Sequence, residues 1–174
     1  MPPLLTSSLT LLPHTAEHLR ALCEGAASYT RCSGRPLADG LADFTAAASP
    51  EWLARLQSAT GEDPWTWGFA LVLTTEDRVI GMCGFKGPPA AGGTVEIAYG
   101  IAPGYQGRGY ATEAAQALVA YAIESGRVRI VRAHTLPQPN ASTRVLQKCG
   151  FKHTGEVLDP EDGLVWRWEL NPEK

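Results

Sequence analysis

Cysteine is scarce in this chain. The 174 residues hold four, Cys23, Cys32, Cys83 and Cys149, and no two of them form a C-x-x-C pair. Without that spacing a zinc site has no support, and the expectation is a cytoplasmic protein with reduced thiols. Excess positive charge is also missing. The net charge is −3, so nucleic acid is not an expected partner. No apolar run approaches the length of a membrane span. The opening "MPPLLTSSLTLLP" has neither a basic region nor a long apolar stretch, so neither a membrane nor an export signal is expected. Repeats, linkers and low-complexity segments are absent. What is present is 44% hydrophobic and 19% charged, which suits one globular domain spanning residues 1–174.

Local patterns then order the chain. Ser8–Pro13 reads as a short strand. Thr15 is placed to cap a helix over "AEHLRALCEGA", with His18 at its third position. Residues 28–40 are irregular and read as helix fragments and loop. Ser49 and Pro50 open a clearer helix, "SPEWLARLQSA". Three strands are expected over Thr66–Leu73, Arg78–Lys86 and Thr94–Ile101, forming an antiparallel meander. A long helix follows over Tyr110–Ser125, where Ala115, Leu118, Val119, Ala122 and Ile123 recur at helical spacing. The next strand, Val128–Leu136, should lie parallel to Thr94–Ile101 through a right-handed crossover. A second helix over "NASTRVLQKCG" and a closing hairpin complete an α+β class with a mixed sheet.

One stretch carries chemistry. "GYQGRGYATEA", Gly104–Ala114, places glycines where a helix starts. The first N–H groups of a helix have no internal partners, and the helix dipole makes that end positive. Glycine lets a phosphate approach without a Cβ in the way. Either a bare turn or a phosphate site fits this stretch alone. A P-loop is excluded, because no Gly-Lys-Ser/Thr occurs. A dinucleotide fingerprint is excluded, because Thr112 stands where a third small residue is needed. The pattern that fits is Q-x-x-G-x-G/A, supplied by Gln106, Gly109 and Ala111.

With its flanks, that stretch resembles a known family. "VEIAYGIAPGYQGRGYATEAAQALVAYA" is similar to the acetyl-CoA-binding segment of the GNAT superfamily of N-acetyltransferases. "NASTRVLQKCGF" resembles the second half of the same site, and both stand in the family's order. The likeness runs over Thr66–Leu170 and points to the branch named for ribosomal-protein alanine N-acetyltransferases. It implies a mostly antiparallel sheet with one parallel pair splayed at a bulge, flanked by about four helices. It implies acetyl-CoA as cosubstrate and an amine acceptor, either a small molecule or a protein N-terminus, in a monomer or homodimer. A non-catalytic acyl-CoA-binding module with the same fold is the alternative.

Residue by residue, the resemblance assigns the pyrophosphate of coenzyme A to Gln106, Gly107, Arg108, Gly109, Tyr110, Ala111 and Thr112. It assigns the pantetheine arm to the backbone of Ile101, with Tyr99 and Gly100 alongside. Glycine within a strand often marks a bulge or a close approach, which singles out Gly100. Asn140 and Ser142 are the polar candidates beside the arm, and Asn140 is equally suited to cap the helix. The branch often spaces its Asn three residues before the Ser, and here the spacing is two.

The implied reaction needs a base for the ammonium, a donor for the developing oxyanion and a partner for the departing thiolate. Glu96 is the expected general base, acting through water with a pKa raised by an apolar setting. The tyrosine that many relatives carry in the second helix is missing. Ser142 and His134 remain as candidates for the thiolate. Cys149 lies on an apolar helix face and reads as a buried thiol. The acceptor should meet Tyr29–Arg35, Trp65, Trp67 and the 87–93 loop.

Overall fold

The structure is a computed structural model that describes residues 1–45 and 48–172. It is built on one eight-stranded sheet ordered β1-β2-β3-β4-β5-β6-β8-β7. The strands are β1 (Leu4–Leu5), β2 (Leu9–Pro13), β3 (Phe69–Leu73), β4 (Arg78–Phe85), β5 (Thr94–Ile101), β6 (Ile130–Thr135), β7 (Lys152–Asp159) and β8 (Gly163–Leu170). Neighbours are antiparallel except β5 and β6. That parallel pair is the one expected, and α5 (Tyr110–Glu124) supplies its crossover.

Period-two alternation sends side chains to two faces of the sheet. Phe69, Leu71, Val95, Ile97, Ile101 and Val131 pack under α5 and α6 (Ala141–Lys148). Ala70, Val72 and Val79 pack on the other face with Leu19, Leu22 and Leu56, from α1 (Ala16–Glu24) and α3 (Pro50–Ser58). The caps behave as the sequence suggested. Thr15 and His18 form a reciprocal capping box on α1, and Ser49 caps α3 with Pro50 in the first turn.

Two helices differ from expectation. Residues 26–33 form a regular helix, α2 (Ala26–Ser33), although Tyr29 is its one buried residue and no apolar stripe announces it. The run Thr66–Leu73 is not all strand. Asp63 caps a single helical turn, α4 (Pro64–Trp67), and the strand begins only at Phe69. Gly68 separates the two at φ 66°. Its Cα lies against Gly84 of β4: a Cβ at Gly68 would stand 3.0 Å from the Gly84 Cα, and closer still to the Cys83 carbonyl oxygen.

His14 follows β2 and is buried, with Nε2 2.9 Å from the Tyr29 hydroxyl. Burial, helped by the neighbouring His18, pushes its pKa from 6.5 down to about 3 against a weaker opposing hydrogen bond to the Trp67 backbone. The native ring stays neutral where the unfolded ring takes a proton. Stability is therefore full above 6.5 and falls as pH drops toward 3, by about 1.4 kcal/mol per pH unit. Urea unfolding at about pH 7 and about pH 5 should differ by about 2 kcal/mol from this group. His14→Asn, which has no titrating ring, should flatten that slope.

Candidate functional site

The glycine turn leaves β5 through a short 3₁₀ turn, Pro103–Tyr105, and enters α5 with Gly107 at φ 76° and Gly109 at φ 87°. Gln106 Nε2 donates to the Ile101 carbonyl at 3.0 Å, tying the turn to the strand end. The first bond into the helix is from Glu113 N–H to Gly109 O at 3.1 Å. The N–H groups of residues 107–112 have no partner among the described residues. Side chains cap α1, α3, α4 and α6. Of the six helices described, only α5 and the short α2 begin without such a cap.

Added Cβ atoms at Gly104, Gly107 and Gly109 would meet nothing within 4 Å, so the bare backbone faces open space. A diphosphate fits such an array, because each free N–H donates to an anionic oxygen and the dipole adds attraction. The side chains of Tyr110 and Ala111 pack on the core, which leaves them only their N–H groups for a ligand. Arg108 is exposed, with its guanidinium 5.7 Å over the Tyr105 ring, and it makes no ion pair among the described residues.

The strand before the turn is half-paired. β5 bonds β6 only from Thr94 to Glu96, while its pairing with β4 runs without a register shift through Ile101. The splay thus needs no bulge in β5 against β4. The shifts in register fall at Leu71/Val72 and at His153/Gly155 instead. In an antiparallel ladder, alternate residues direct both backbone groups to the same neighbour. Lys86 N–H bonds Glu96 O, and Ala102 N–H bonds Ile80 O, so the even residues of β5 serve β4. Ile97, Tyr99 and Ile101 therefore turn their N–H and C=O groups toward the opening. Ile101 O is taken by Gln106, and the Ile101 N–H and both Tyr99 groups have no partner among the described residues, which leaves them as a free edge.

A cleft of about 270 Å³ fills that opening. Glu96, Tyr99, His134 and Ser142 line it. The Tyr99 hydroxyl stands 3.1 Å from Ser142 Oγ and 3.4 Å from the Ser142 carbonyl. Burial pushes the Tyr99 pKa up to about 12 against the opposing bond to Ser142, so the phenol keeps its proton at neutral pH. A hydroxyl pair thus lines the cleft, although the second helix carries no tyrosine. The tyrosine comes from β5, two residues before the strand end.

Asn140 takes the other of its two readings. Its Oδ1 accepts the Thr143 N–H at 2.9 Å, and its own N–H donates to Thr143 Oγ1, a complete capping box. Its side-chain oxygen is therefore occupied by the helix. Cys149 is half-buried on the α5 side, with Sγ 3.8 Å from Thr112 O, and burial raises its pKa.

Glu96 is not the free carboxylate expected of a lone base. Its Oε1 accepts from Lys86 Nζ at 2.8 Å and from His134 Nδ1 at 2.9 Å. Burial disfavours the charge on Lys86. The bond to Glu96 and that residue's charge outweigh this and hold the ammonium above its ordinary pKa. Neither partner is a sequence neighbour. Parallel register brings β6 beside Glu96, and antiparallel register brings Lys86 opposite it.

A second cavity of about 860 Å³ opens on the α1–α3 face and shares Lys86, Ala98 and Tyr99 with the first. Trp52 and Trp67 meet edge to face at 5.9 Å on its wall. Trp65, expected there too, lies on the opposite face against Phe85 and Tyr121. Tyr29 is buried behind His14 rather than lining the cavity. Gly100 marks a close approach: a Cβ there would stand 2.7 Å from the Phe44 ring.

Comparison with known proteins agrees with this geometry. The chain matches the Acetyltransferase (GNAT) domain family over residues 8–152. It is 31% identical over 93 residues to an uncharacterized N-acetyltransferase p20 of Bacillus licheniformis, covering 53% of this chain and 52% of that one. The chain spans about half the length of the curated relatives it matches. A GNAT-family acetyltransferase from Bacillus anthracis superposes with a TM-score of 0.68 at 20% identity, covering 99% of both chains. A ribosomal L7/L12 alpha-N-protein acetyltransferase in complex with coenzyme A does so with a TM-score of 0.66 at 15% identity, covering 97% of both. At these identities the likeness is one of fold.

Proposed function

We propose that this chain, which belongs to the GNAT acetyltransferase family, moves an acetyl group from acetyl-CoA directly to a primary amine of a small molecule or a protein N-terminus. The observation that carries this reading is the half-paired edge of β5, which leads straight into the uncapped start of α5. One edge and one helix end suit an extended arm with a diphosphate at its head.

On this reading the diphosphate caps the N–H groups of residues 107–112, and Arg108 adds a cation. The pantetheine amides pair with Tyr99 and Ile101 as an added strand would. The Gln106 side chain braces the turn rather than touching the ligand. Acetyl-CoA supplies an activated acyl group, and its thioester lies in the cleft between β5 and β6. The amine enters from the aromatic cavity across the sheet and gives up a proton near Glu96. Its nitrogen bonds the acetyl carbon as the carbon–sulfur bond breaks. The Tyr99 N–H, next to Ile101 on the same edge, is available to charge developing on the carbonyl oxygen. Ser142 and Tyr99 donate to the departing sulfur.

Thiol release from acetyl-CoA, with peptides and small amines as acceptors, tests the reading. Binding without turnover on any amine would favour a non-catalytic acyl-CoA module. The hydroxyl pair has its own test. Tyr99→Phe should lower kcat about 100-fold, the lower end of what a placed proton donor contributes. Acetyl-CoA affinity by calorimetry should change little, because the Tyr99 backbone is retained.

A further inference from the structure

The cluster around Glu96 contains a group that fits the base better than Glu96 does. Glu96 is ion-paired to Lys86, and an ionised carboxylate only accepts hydrogen bonds. The 2.9 Å contact with His134 Nδ1 therefore places a hydrogen on Nδ1, and in the neutral ring this leaves the lone pair on Nε2. That nitrogen has no hydrogen-bond partner of its own among the described residues. Among the described residues no buried side-chain nitrogen or oxygen goes unsatisfied, so Nε2 is not enclosed, and His134 is one of the residues that line the cleft. The His134 side chain is 15% exposed, enough for one ring edge to reach solvent.

From this geometry we infer that His134 Nε2 takes the acceptor's proton, and that Glu96 is a positioning residue that fixes the tautomer and steadies the imidazolium. The inference rests on the acetyltransferase reading above. The protons balance as follows. The ammonium gives one to Nε2, and the neutral amine attacks. The new carbon–nitrogen bond forms as the carbon–sulfur bond breaks. The nitrogen's second proton passes to the thiolate through the Ser142 and Tyr99 hydroxyls. His134 then releases its proton to water. The sum is one acetylated amine, one free thiol and one proton.

A carboxylate holding the far nitrogen of a histidine is a general way to orient a base. Lys86 Nζ, 2.8 Å from the same Oε1, holds the carboxylate in place for that purpose. The other groups around the imidazole act on it as well. Arg167 lies opposite on β8. Arg132, on β6, is tied to Glu169. Tyr99 and Ser142 face it across the cleft, and Asp159 and Asp162 approach from the β7–β8 turn.

The test follows kcat/KM against pH by thiol release, with acetyl-CoA and four acceptors: an alanyl-terminated peptide, a seryl-terminated peptide, spermidine and phenylethylamine. His134→Asn keeps a donor near the Nδ1 position, and His134→Gln places an amide near Nε2, so a folding defect in one is checked by the other. Both should fall at least about 100-fold and lose the acid limb of the profile. Glu96→Gln should fall about 10-fold and keep the limb, because the ring that takes the proton is still there. Acetyl-CoA affinity should be unchanged in all three.

A limb that survives in both His134 variants and vanishes in Glu96→Gln would overturn the inference and make Glu96 the base. A profile indifferent to all three would also overturn it. A wild-type protein that turns over none of the four acceptors fails earlier, at the acetyltransferase reading, and takes the inference with it.

Discussion

Gly109→Glu is expected to weaken coenzyme A binding at least about 100-fold, or about 2.7 kcal/mol. Three effects add. Gly109 sits at φ 87°, where an L side chain is strained. A Cβ there meets no protein atom, so the carboxylate projects into the space assigned to the diphosphate. Its negative charge replaces part of the attraction of the helix start with repulsion. Calorimetric titration with coenzyme A measures the loss. Gly109→Ala separates the effects: it shares the strain but adds no charge, and should lose about 10-fold or less. If the glutamate variant keeps wild-type affinity, the diphosphate binds elsewhere. The substitution leaves the core alone, so the thermal midpoint should fall only by what the positive-φ strain costs, about 1–3 kcal/mol.

Gly68→Ala should have the opposite profile, with a large loss of stability and no direct effect on the turn. The strain of a positive φ and the clash with the Cys83 carbonyl and Gly84 each cost about 1–3 kcal/mol. Together, about 3–4 kcal/mol should lower the melting temperature by about 10 °C for a chain of this size. Neither contact has a flexible side chain that can yield, because both are backbone. A midpoint within about 2 °C of wild type would show that the β3–β4 pair can separate there.

Strand positions in the centre were legible because alternation and turn residues agree. Thr94–Ile101 needed no correction, and α5 ended one residue short of its expected bound. The boundary at Thr66 was not legible. Trp, Thr and Phe favour strands, and only the capping oxygen of Asp63 with Pro64 in the first turn makes the segment helical. α2 escaped notice because it buries a single tyrosine and leaves no periodic stripe.

In the site, the glycine turn could be read because its signal is local. Glu96 was recognisable as a member. Its bonds to Lys86 and His134 were not, since they depend on register across three strands. The Tyr99–Ser142 pair joins residues 43 apart and was hidden for the same reason. The departure in Asn140 spacing was readable, and the structure shows the capping role, with Oδ1 taken by the Thr143 N–H.

The sheet separates two compartments. α5 and the glycine turn stand on one face, the tryptophan-lined cavity stands on the other, and the gap between β5 and β6 is where they communicate. On the proposed function this dictates kinetic order. Donor and acceptor do not compete for space, so both can be bound at once, and the transfer runs through a ternary complex. Of the two cysteines near the gap, Cys149 is turned toward Thr112 on the α5 side and Cys83 is buried with its pKa pushed up, so neither is a ready thiolate to carry the acetyl group in between. Double-reciprocal plots against the two substrates then intersect instead of running parallel, a signature set by where one strand parts from its neighbour.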